Sequence, residues 1–274
     1  MKLIFLDIDG TLTEPGANVP PESALRAIRS ARAAGNKVLL CSGRNYAMLS
    51  PLLQYGFDGY IASAGGFVVA DGRVLFDCPM TTEQRDTAMR VFEESGVYRT
   101  VETRNGSYCD PGVAELLERV SGGNSELLRW RRAIEKALDI RPMSEYGGEP
   151  AYKLVFYCEN EAQLAPARAA LERDFQFVVQ DAFGAACLNG ELINRAFDKG
   201  RGVKIAAEAL GVPVADTVGF GDSMNDLEMI ETVGTGVCMA NGSAELKRRS
   251  AMVCPAVGED GLAKAFEQLG LDRA

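Results

Sequence analysis

The chain contains no histidine among its 274 residues. This absence excludes Ser-His-Asp and Cys-His nucleophile systems, and it excludes zinc sites that depend on imidazole. A general acid or base in this protein must therefore be a carboxylate, a lysine, a tyrosine or a cysteine.

Cysteine is present, but in no pattern typical of a metal site or a disulfide framework. The seven cysteines never form a C-x-x-C pair and mostly lie among apolar residues, at positions 41, 78, 109, 158, 187, 238 and 254. Buried reduced thiols, and hence a reducing cytoplasmic compartment, are expected. The sequence also lacks a basic N-terminal segment followed by an apolar stretch, and no apolar run approaches about 18 residues. We therefore expect neither a secretory leader nor a membrane span.

Positive charge is in short supply. Lysine and arginine number 29 against 38 acidic residues, which gives a net charge of −9. Such a chain repels phosphate backbones and anionic membranes overall, so we expect no nucleic-acid partner and no membrane partner. The basic cluster Arg129 to Arg132, which contains the only tryptophan, is interpreted as a solvated helix face. A phosphorylated small substrate would need a local island of positive charge.

The amino-terminal segment combines an apolar run with an acidic ending. Leu3 to Leu6 is followed by Asp7, Asp9 and Gly10-Thr11. A short apolar run of this kind predicts a buried strand of a parallel sheet, and ligands bind beyond the carboxyl ends of such strands. Two neighbouring carboxylates repel each other unless a cation or a shared proton intervenes, and Mg²⁺ meets that need. The alternative is that Asp9-Gly10 is merely a hairpin turn.

Strands and helices alternate in two separated parts of the chain. This rhythm predicts an α/β fold with a doubly wound, mostly parallel, Rossmann-like core sheet formed by residues 1–80 and 189–274. Between them, residues 81–188 predict an inserted α+β cap domain with its own antiparallel sheet. Its predicted elements include helices around residues 112–121 and 125–138 and a strand at 183–188.

Polar segments follow strands or begin helices at four places in the predicted core. They are Asp7-x-Asp9-Gly10-Thr11, Ser42-Gly43-Arg44, Lys199-Gly200, and Gly221-Asp222-Ser223-Met224-Asn225-Asp226. Each has an ordinary alternative: Ser42-Gly43 as a helix cap, Lys199 as a surface lysine, and Asp222 as an N-cap residue. Their joint occurrence, in this order and at one sheet edge, instead indicates a shared site.

These segments resemble the four signature motifs of the haloacid dehalogenase (HAD) superfamily of phosphatases. The insertion between Ser42 and Lys199 resembles the larger cap (type IIB) of the Cof-like branch, and the similarity covers nearly the whole chain. The resemblance implies that Asp7 is the nucleophile and forms an aspartyl-phosphate, and that Asp9 is the general acid and base. It also implies Mg²⁺ held by the Asp7 carboxylate, the Asp9 backbone carbonyl and the Asp222 carboxylate.

The resemblance further implies how the phosphoryl group is held. Ser42, Gly43 and Lys199 would bind it with Asn225 close by, and Asp226 would support the metal shell. Arg44 lies where it could reach distal oxygens of a substrate, or could instead form a structural ion pair. Two departures are visible. Ser42 stands where relatives often carry threonine, and Ala64-Gly65-Gly66 stands where they commonly show Asn-Gly-Ala, so the usual amide contact of that loop is missing.

The residue chemistry agrees with this interpretation. A carboxylate nucleophile divides hydrolysis into two easier steps, and the adjacent Asp9 can donate a proton in one and accept a proton in the other. We therefore expect a Mg²⁺-dependent phosphatase acting on a small phosphorylated metabolite such as a sugar phosphate, with the cap selecting the leaving group. The alternatives are a phosphomutase of the phosphomannomutase type and a non-catalytic phosphometabolite-binding regulatory protein. Neither the substrate nor the oligomeric state has a signal in the sequence.

Overall fold

The structure, a computed structural model, describes residues 1–113, 140–180 and 188–273. The predicted helices around 112–121 and 125–138, the predicted strand 183–188 and the basic cluster 129–132 lie wholly or almost wholly outside these ranges. The six cysteines within the described ranges are free thiols. None of the described helices combines the length and the apolar character that crossing a membrane requires.

The described residues form both strands and α-helices. The strands are β1 (Leu3–Leu6), β2 (Lys37–Cys41), β3 (Gly59–Ala62), β4 (Phe67–Ala70), β5 (Arg73–Asp77), β6 (Tyr98–Thr103), β7 (Ser107–Cys109), β8 (Ile140–Pro142), β9 (Ala151–Cys158), β10 (Phe175–Gln180), β11 (Leu188–Asn194), β12 (Thr217–Gly221), β13 (Thr235–Met239) and β14 (Met252–Cys254). The α-helices are α1 (Glu22–Ala33), α2 (Tyr46–Leu49), α3 (Thr82–Glu94), α4 (Glu161–Leu171), α5 (Lys199–Ala209), α6 (Leu227–Thr232), α7 (Ala244–Arg249) and α8 (Gly261–Gln268).

The first sheet has eight strands in the order β14-β13-β12-β1-β2-β3-β4-β5. The six strands from β14 to β3 pair in parallel, and β4 and β5 extend the sheet antiparallel. The predicted doubly wound α/β core is thus confirmed. Asp71 and Gly72, both with positive φ, make the two-residue turn between β4 and β5, as is typical of an Asp-Gly hairpin loop.

The central position of β1 follows from its composition. All four of its residues are fully buried, since strands pair on both sides of it and apolar side chains cover both faces. The core around it includes Phe5, Leu39, Val203 and Met229. Because β1, β2 and β12 run parallel, the residues that follow them emerge at the same edge of the sheet.

The second sheet has six strands in the order β10-β11-β9-β6-β7-β8, antiparallel except for the β7–β8 pair. One of its faces packs on α3 and α4 through apolar residues that include Phe92, Leu154, Phe156 and Leu164. The opposite face carries charge: buried Lys153 forms ion pairs with Glu191 and, at 3.4 Å, with Glu102.

The chain divides into two compact units. The first comprises Met1–Arg44, Leu49–Asp77 and Phe197–Ala274, and the second comprises Asn45–Met48 and Cys78–Ala196. This division differs from the predicted return to the core at residue 189. Strand β11 pairs with both β9 and β10, so its backbone hydrogen bonds hold it in the second sheet. The apolar alternation of the sequence identifies a strand but not its partners.

Candidate active site

Asp7 follows β1 directly and lies at the carboxyl edge of the first sheet. Its backbone N–H donates to the carbonyl of Phe220 on β12 at 3.0 Å, which continues the parallel pairing beyond the strand. Lys199, the first residue of α5, donates from Nζ to Asp7 Oδ1 at 2.8 Å. The structure thus brings together two side chains that are 192 positions apart in the sequence. Both are buried.

Lys199 is shared between two carboxylates. Its Nζ also donates to Asp226 Oδ1 at 2.6 Å. Burial alone would lower the pKa of Lys199, but the charges of Asp226 and Asp7 together raise it well above its usual value. Lys199 is therefore a permanent cation within an acidic pocket, and not the solvated surface lysine of the alternative interpretation.

Asp226 organises the loop that follows β12. Its Oδ2 accepts hydrogen bonds from the backbone N–H groups of Asp222 at 3.0 Å and Ser223 at 3.2 Å. With Oδ1 on Lys199, both of its oxygens are engaged. Asp226 is fully buried, so it fixes the backbone on which Asp222 is presented.

Asp222 has one oxygen held and one without a partner. Asn241 donates from Nδ2 to Asp222 Oδ2 at 3.3 Å, whereas the buried Oδ1 has no hydrogen-bond partner. An unsatisfied buried oxygen is costly, so its presence at this position indicates a missing ligand. Carboxylate oxygens of Asp7, Asp222 and Asp226 lie within 4.8 Å of one another, and these three residues form the acidic cluster of the site.

The electrostatics of these carboxylates agree with a cation site. Burial, followed by the charge of Asp226, raises the pKa of Asp7 from 3.8 to about 7 although Lys199 opposes the rise. Burial and the charges of Asp226 and Asp7 raise the pKa of Asp222 to about 8. Such clustered charge is relieved by a bound divalent cation, and oxygen donors are what Mg²⁺ prefers. The donor set fits the predicted metal, with Asp226 contributing through its hydrogen bonds to the loop.

Gly10 lets the backbone of the first loop approach Asp222. Its φ is +79°, and a Cβ at this position would lie 2.3 Å from Asp222 Oδ2. Asn241 Nδ2 also donates to the Gly10 carbonyl at 2.9 Å. The turn after Asp9 is therefore part of the site rather than a hairpin between paired strands.

The Asp9 carboxylate is paired with Arg44, whereas the Asp7 carboxylate is paired with Lys199. Arg44 donates from Nη2 to Asp9 Oδ1 at 2.7 Å and from Nε to Oδ2 at 2.9 Å. Of the two roles considered for Arg44, the structure contains the ion pair. Asp9 and Arg44 thus form a second charged pair beside the Asp7–Lys199 pair.

The loop after β2 places Ser42 and Gly43 at the same sheet edge. The Ser42 N–H donates to the Ile61 carbonyl at 2.8 Å, and the Ser42 hydroxyl accepts from the Arg44 N–H at 3.2 Å. The predicted phosphate-binding role of Ser42 and Gly43 stays a prediction. The Ser42 hydroxyl closes a local turn and retains its proton for a further hydrogen bond.

Asn225 lies close to the acidic cluster. Its Oδ1 is 3.5 Å from Lys199 Nζ and accepts a hydrogen bond from the Ser223 hydroxyl at 2.8 Å. This places the amide of Asn225 beside the lysine, as the sequence pattern predicts, while its role toward phosphate stays a prediction.

The loop after β3 contains a backbone conformation that the sequence does not indicate. Ser63 and Ala64 both have positive φ, at 51° and 57°, although neither is glycine. Their N–H groups donate to the carbonyls of Arg44 and Ser42, which ties this loop to the loop after β2. Strain of this kind is retained where surrounding contacts determine the conformation, and functional sites are such places.

Asn241 is a candidate site residue that the sequence motifs did not indicate. It follows β13 and reaches Asp222 and Gly10, as described above. The signal that could have found it is position, because an amide two residues beyond a parallel strand lies at the same edge as the acidic loops.

The comparisons with known proteins agree with this geometry. Residues 4–266 match the family of haloacid dehalogenase-like hydrolases. The Bacillus subtilis (strain 168) protein YkrA is 30% identical over 275 residues, covering 98% of both chains. A second protein of that strain, 5-amino-6-(5-phospho-D-ribitylamino)uracil phosphatase YwtE, is 27% identical over 284 residues and 98% of each chain.

A solved structure shares the whole fold. The HAD subclass IIB sugar phosphatase BT4131 superposes with a TM-score of 0.78 over 99% of this chain and 100% of its own, at 20% sequence identity. The chain belongs to the haloacid dehalogenase-like hydrolases, and it is an enzyme of the phosphatase class within that family. The predicted family resemblance is confirmed.

Proposed function

We propose that this protein is a Mg²⁺-dependent phosphatase that hydrolyses a small phosphorylated metabolite through an aspartyl-phosphate on Asp7. The observation that carries the proposal is the convergence of Asp7, Lys199 and Asp222 around a buried carboxylate oxygen without a partner. Phosphoryl transfer depends on positioning and on charge stabilisation, and this site offers both.

In the first step, a carboxylate oxygen of Asp7 attacks phosphorus and the bond from phosphorus to the ester oxygen breaks. Asp9 begins this step in its protonated form, which the second step regenerates, and gives that proton to the departing oxygen. In the second step, water loses a proton to Asp9 and attacks the same phosphorus. The bond to Asp7 then breaks, and inorganic phosphate leaves. One residue thus serves as acid and then as base.

Lys199 reduces the repulsion between Asp7 and an incoming phosphate dianion. Its Nζ is already within hydrogen-bond distance of the nucleophile, so its charge lies where the phosphoryl oxygens must pass. Ser42, Gly43 and Asn225 would provide further donors to those oxygens.

The Asp7 and Asp222 carboxylates and the Asp9 backbone carbonyl would hold Mg²⁺, with Asp226 fixing the loop. When bound, the ion neutralises charge on the phosphoryl oxygens and on the clustered carboxylates. The Asp222 Oδ1 atom would then have the partner that it lacks.

The names of related proteins support the substrate class. YwtE is named for a phosphorylated ribityl compound, and BT4131 is a sugar phosphatase. Both substrates are small, polar phosphate esters. We therefore place phosphorylated sugars, polyols and similar monoesters first among substrates for this chain.

The test is phosphate release from a panel of sugar phosphates, nucleotides and phosphorylated acids, with Mg²⁺ and after chelation. Chelation should abolish turnover and added Mg²⁺ should restore it. Asp7→Asn should remove turnover while the far-ultraviolet circular dichroism stays unchanged, because the nucleophile alone is lost. Residual activity of Asp7→Asn above a few per cent would refute the nucleophile assignment.

The same panel separates the alternatives. Isomerised sugar phosphate without release of inorganic phosphate would indicate a phosphomutase. A panel left wholly intact by folded, Mg²⁺-supplied protein would indicate a binding protein.

A further inference from the structure

The Arg44 guanidinium donates hydrogen bonds to the Asp9 carboxylate from two of its nitrogens. Nε donates to Oδ2 at 2.9 Å and Nη2 donates to Oδ1 at 2.7 Å, a bidentate arrangement that fixes the plane of the carboxylate. The backbone N–H of Gly16 donates to Asp9 Oδ1 at 2.7 Å. Both Asp9 oxygens are therefore engaged, and its side chain is held in one orientation.

Arg44 is itself held in place by the segment that follows Asp9. Nη1 donates to Asn18 Oδ1 at 2.6 Å, and Nη2 also donates to the Ala17 carbonyl at 3.2 Å. These contacts, together with those to Asp9, engage all three guanidinium nitrogens, Nε, Nη1 and Nη2. The side chain is only 2% exposed. A buried guanidinium with these partners is poorly suited to meeting a substrate.

The two acidic residues of the first loop thus have separate cations. Asp7 is paired with Lys199 and Asp9 is paired with Arg44. In the proposed reaction, Asp7 must reach phosphorus and Asp9 must reach the departing oxygen, so the two carboxylates need different orientations. Misplacing a reacting group by about 1 Å can cost about 100-fold in rate.

We propose that Arg44 is a positioning residue that fixes the orientation of Asp9 for proton transfer to the leaving group. This inference rests on the proposed function, since it assigns Arg44 a role only if Asp9 moves protons. It goes beyond that function by predicting how the effect of Arg44 depends on the leaving group. Loss of Arg44 should slow cleavage of the bond between phosphorus and the ester oxygen most where the leaving group must be protonated. Binding of the phosphoryl group is left to Lys199 and its neighbours.

The test compares leaving groups of different acidity. Values of kcat/KM would be measured for 4-nitrophenyl phosphate, phenyl phosphate and the best alkyl phosphate of the panel, with wild type, Arg44→Met and Arg44→Lys. Nitrophenolate departs without a proton, whereas an alkoxide needs one. General acid catalysis contributes about 10²- to 10⁴-fold. We expect Arg44→Met to lose at least about 30-fold on the alkyl ester and less than about 3-fold on the nitrophenyl ester, within that range.

Arg44→Lys distinguishes charge from geometry and provides a second variant if Arg44→Met folds poorly. Lysine keeps the charge but lacks the planar fork, so it should retain the fold and still lose selectively on the alkyl ester. In the Asp9→Asn background, Arg44→Met should add little further loss on that ester because the group being positioned is already gone.

Arg32→Met is the matched control. Arg32 also makes a bidentate pair, with Asp58 at 2.9 and 2.8 Å, but that pair lies apart from the acidic cluster. Its removal should leave the dependence on leaving group unchanged.

Three results would overturn the proposal. An equal loss on all esters with a raised KM would make Arg44 a substrate contact, and unchanged kinetics would leave it without a role. Full recovery by Arg44→Lys would show that charge alone matters. Failure of the proposed function looks different, because wild type itself would then release no phosphate from any ester.

Discussion

At the scale of single residues, the candidate site is defined by which oxygen has a partner and which does not. Asp226 has both oxygens engaged, whereas Asp222 has one held by Asn241 and one left for a ligand. Asn241 thus orients the Asp222 carboxylate through a hydrogen bond but is not one of the clustered acidic residues.

Asn241→Ala should weaken Mg²⁺ binding by about 10- to 100-fold, the usual effect of removing a group that orients a metal ligand. The reason is that Asp222 loses the hydrogen bond that fixes its rotation. Calorimetric titration with Mg²⁺ in the absence of substrate measures the effect directly. Asn160→Ala, which removes the N-cap of α4 in the second unit, is the control and should bind Mg²⁺ normally. Wild-type affinity in Asn241→Ala would contradict this role.

Single-residue chemistry was also the most predictable part of the site. The lack of histidine excluded imidazole-based catalysis, and the acidic pair after an apolar strand indicated a cation site. The resemblance of the four polar segments to the haloacid dehalogenase motifs then implied phosphoryl chemistry. The partner of Arg44 was not predictable, because the sequence is equally compatible with a contact to substrate and with an ion pair.

At the scale of elements, the site depends on loops that follow parallel strands and press against one another. Gly65 is one example. Its φ is +111°, and a Cβ there would lie 2.3 Å from the carbonyl oxygen of Asp198, the N-cap residue of α5. This contact sets the start of α5, where Lys199 lies.

Gly65→Ala should lower the free energy of unfolding by about 2–5 kcal/mol, since it adds backbone strain to a steric clash. Gly211→Ala is the matched control: φ is +66°, but no atom lies within 4 Å of the added Cβ. It should cost about 1–2 kcal/mol from strain alone. Urea denaturation measures both variants. Equal losses for the two would mean that the contact with Asp198 does not matter.

The positions of strands along the chain were largely predictable from the sequence. Which strands pair with one another in a sheet was less predictable. The apolar run before the first acidic pair placed β1 at Leu3–Leu6 correctly. The predicted boundary at residue 189 falls within β11, which pairs with β9 and β10, because pairing is decided by distant strands and leaves little local trace.

At the scale of the whole molecule, the chain forms two compact units with different interiors. The first has an apolar parallel sheet, and the second has a sheet with charge buried on one face. Lys153 lies between the carboxylates of Glu102 and Glu191, and all three side chains are buried.

Lys153→Met should destabilise the second unit by about 3–5 kcal/mol, because removing one partner of a buried ion pair leaves an uncompensated charge. Hydrogen exchange should show lost protection in β6, β9 and β11 and retained protection in β1 and β12. Arg90→Met, which breaks an exposed pair with Glu94, should cost no more than about 0.5 kcal/mol. Equal protection of β9 in wild type and Lys153→Met would argue against this account.

The sequence by itself determined the strands and the sheet edge at which the polar segments lie, since hydrophobic periodicity and strand ends are local properties. The kind of chemistry was implied by the resemblance of those segments to the haloacid dehalogenase motifs. The tertiary structure alone decided which cation serves which carboxylate: Lys199 for Asp7 across 192 positions, and Arg44 for Asp9 across 35. It also decided that Asn241 would hold Asp222. Such pairings depend on how packed elements align in space, and the spacing of residues along a chain does not record that alignment.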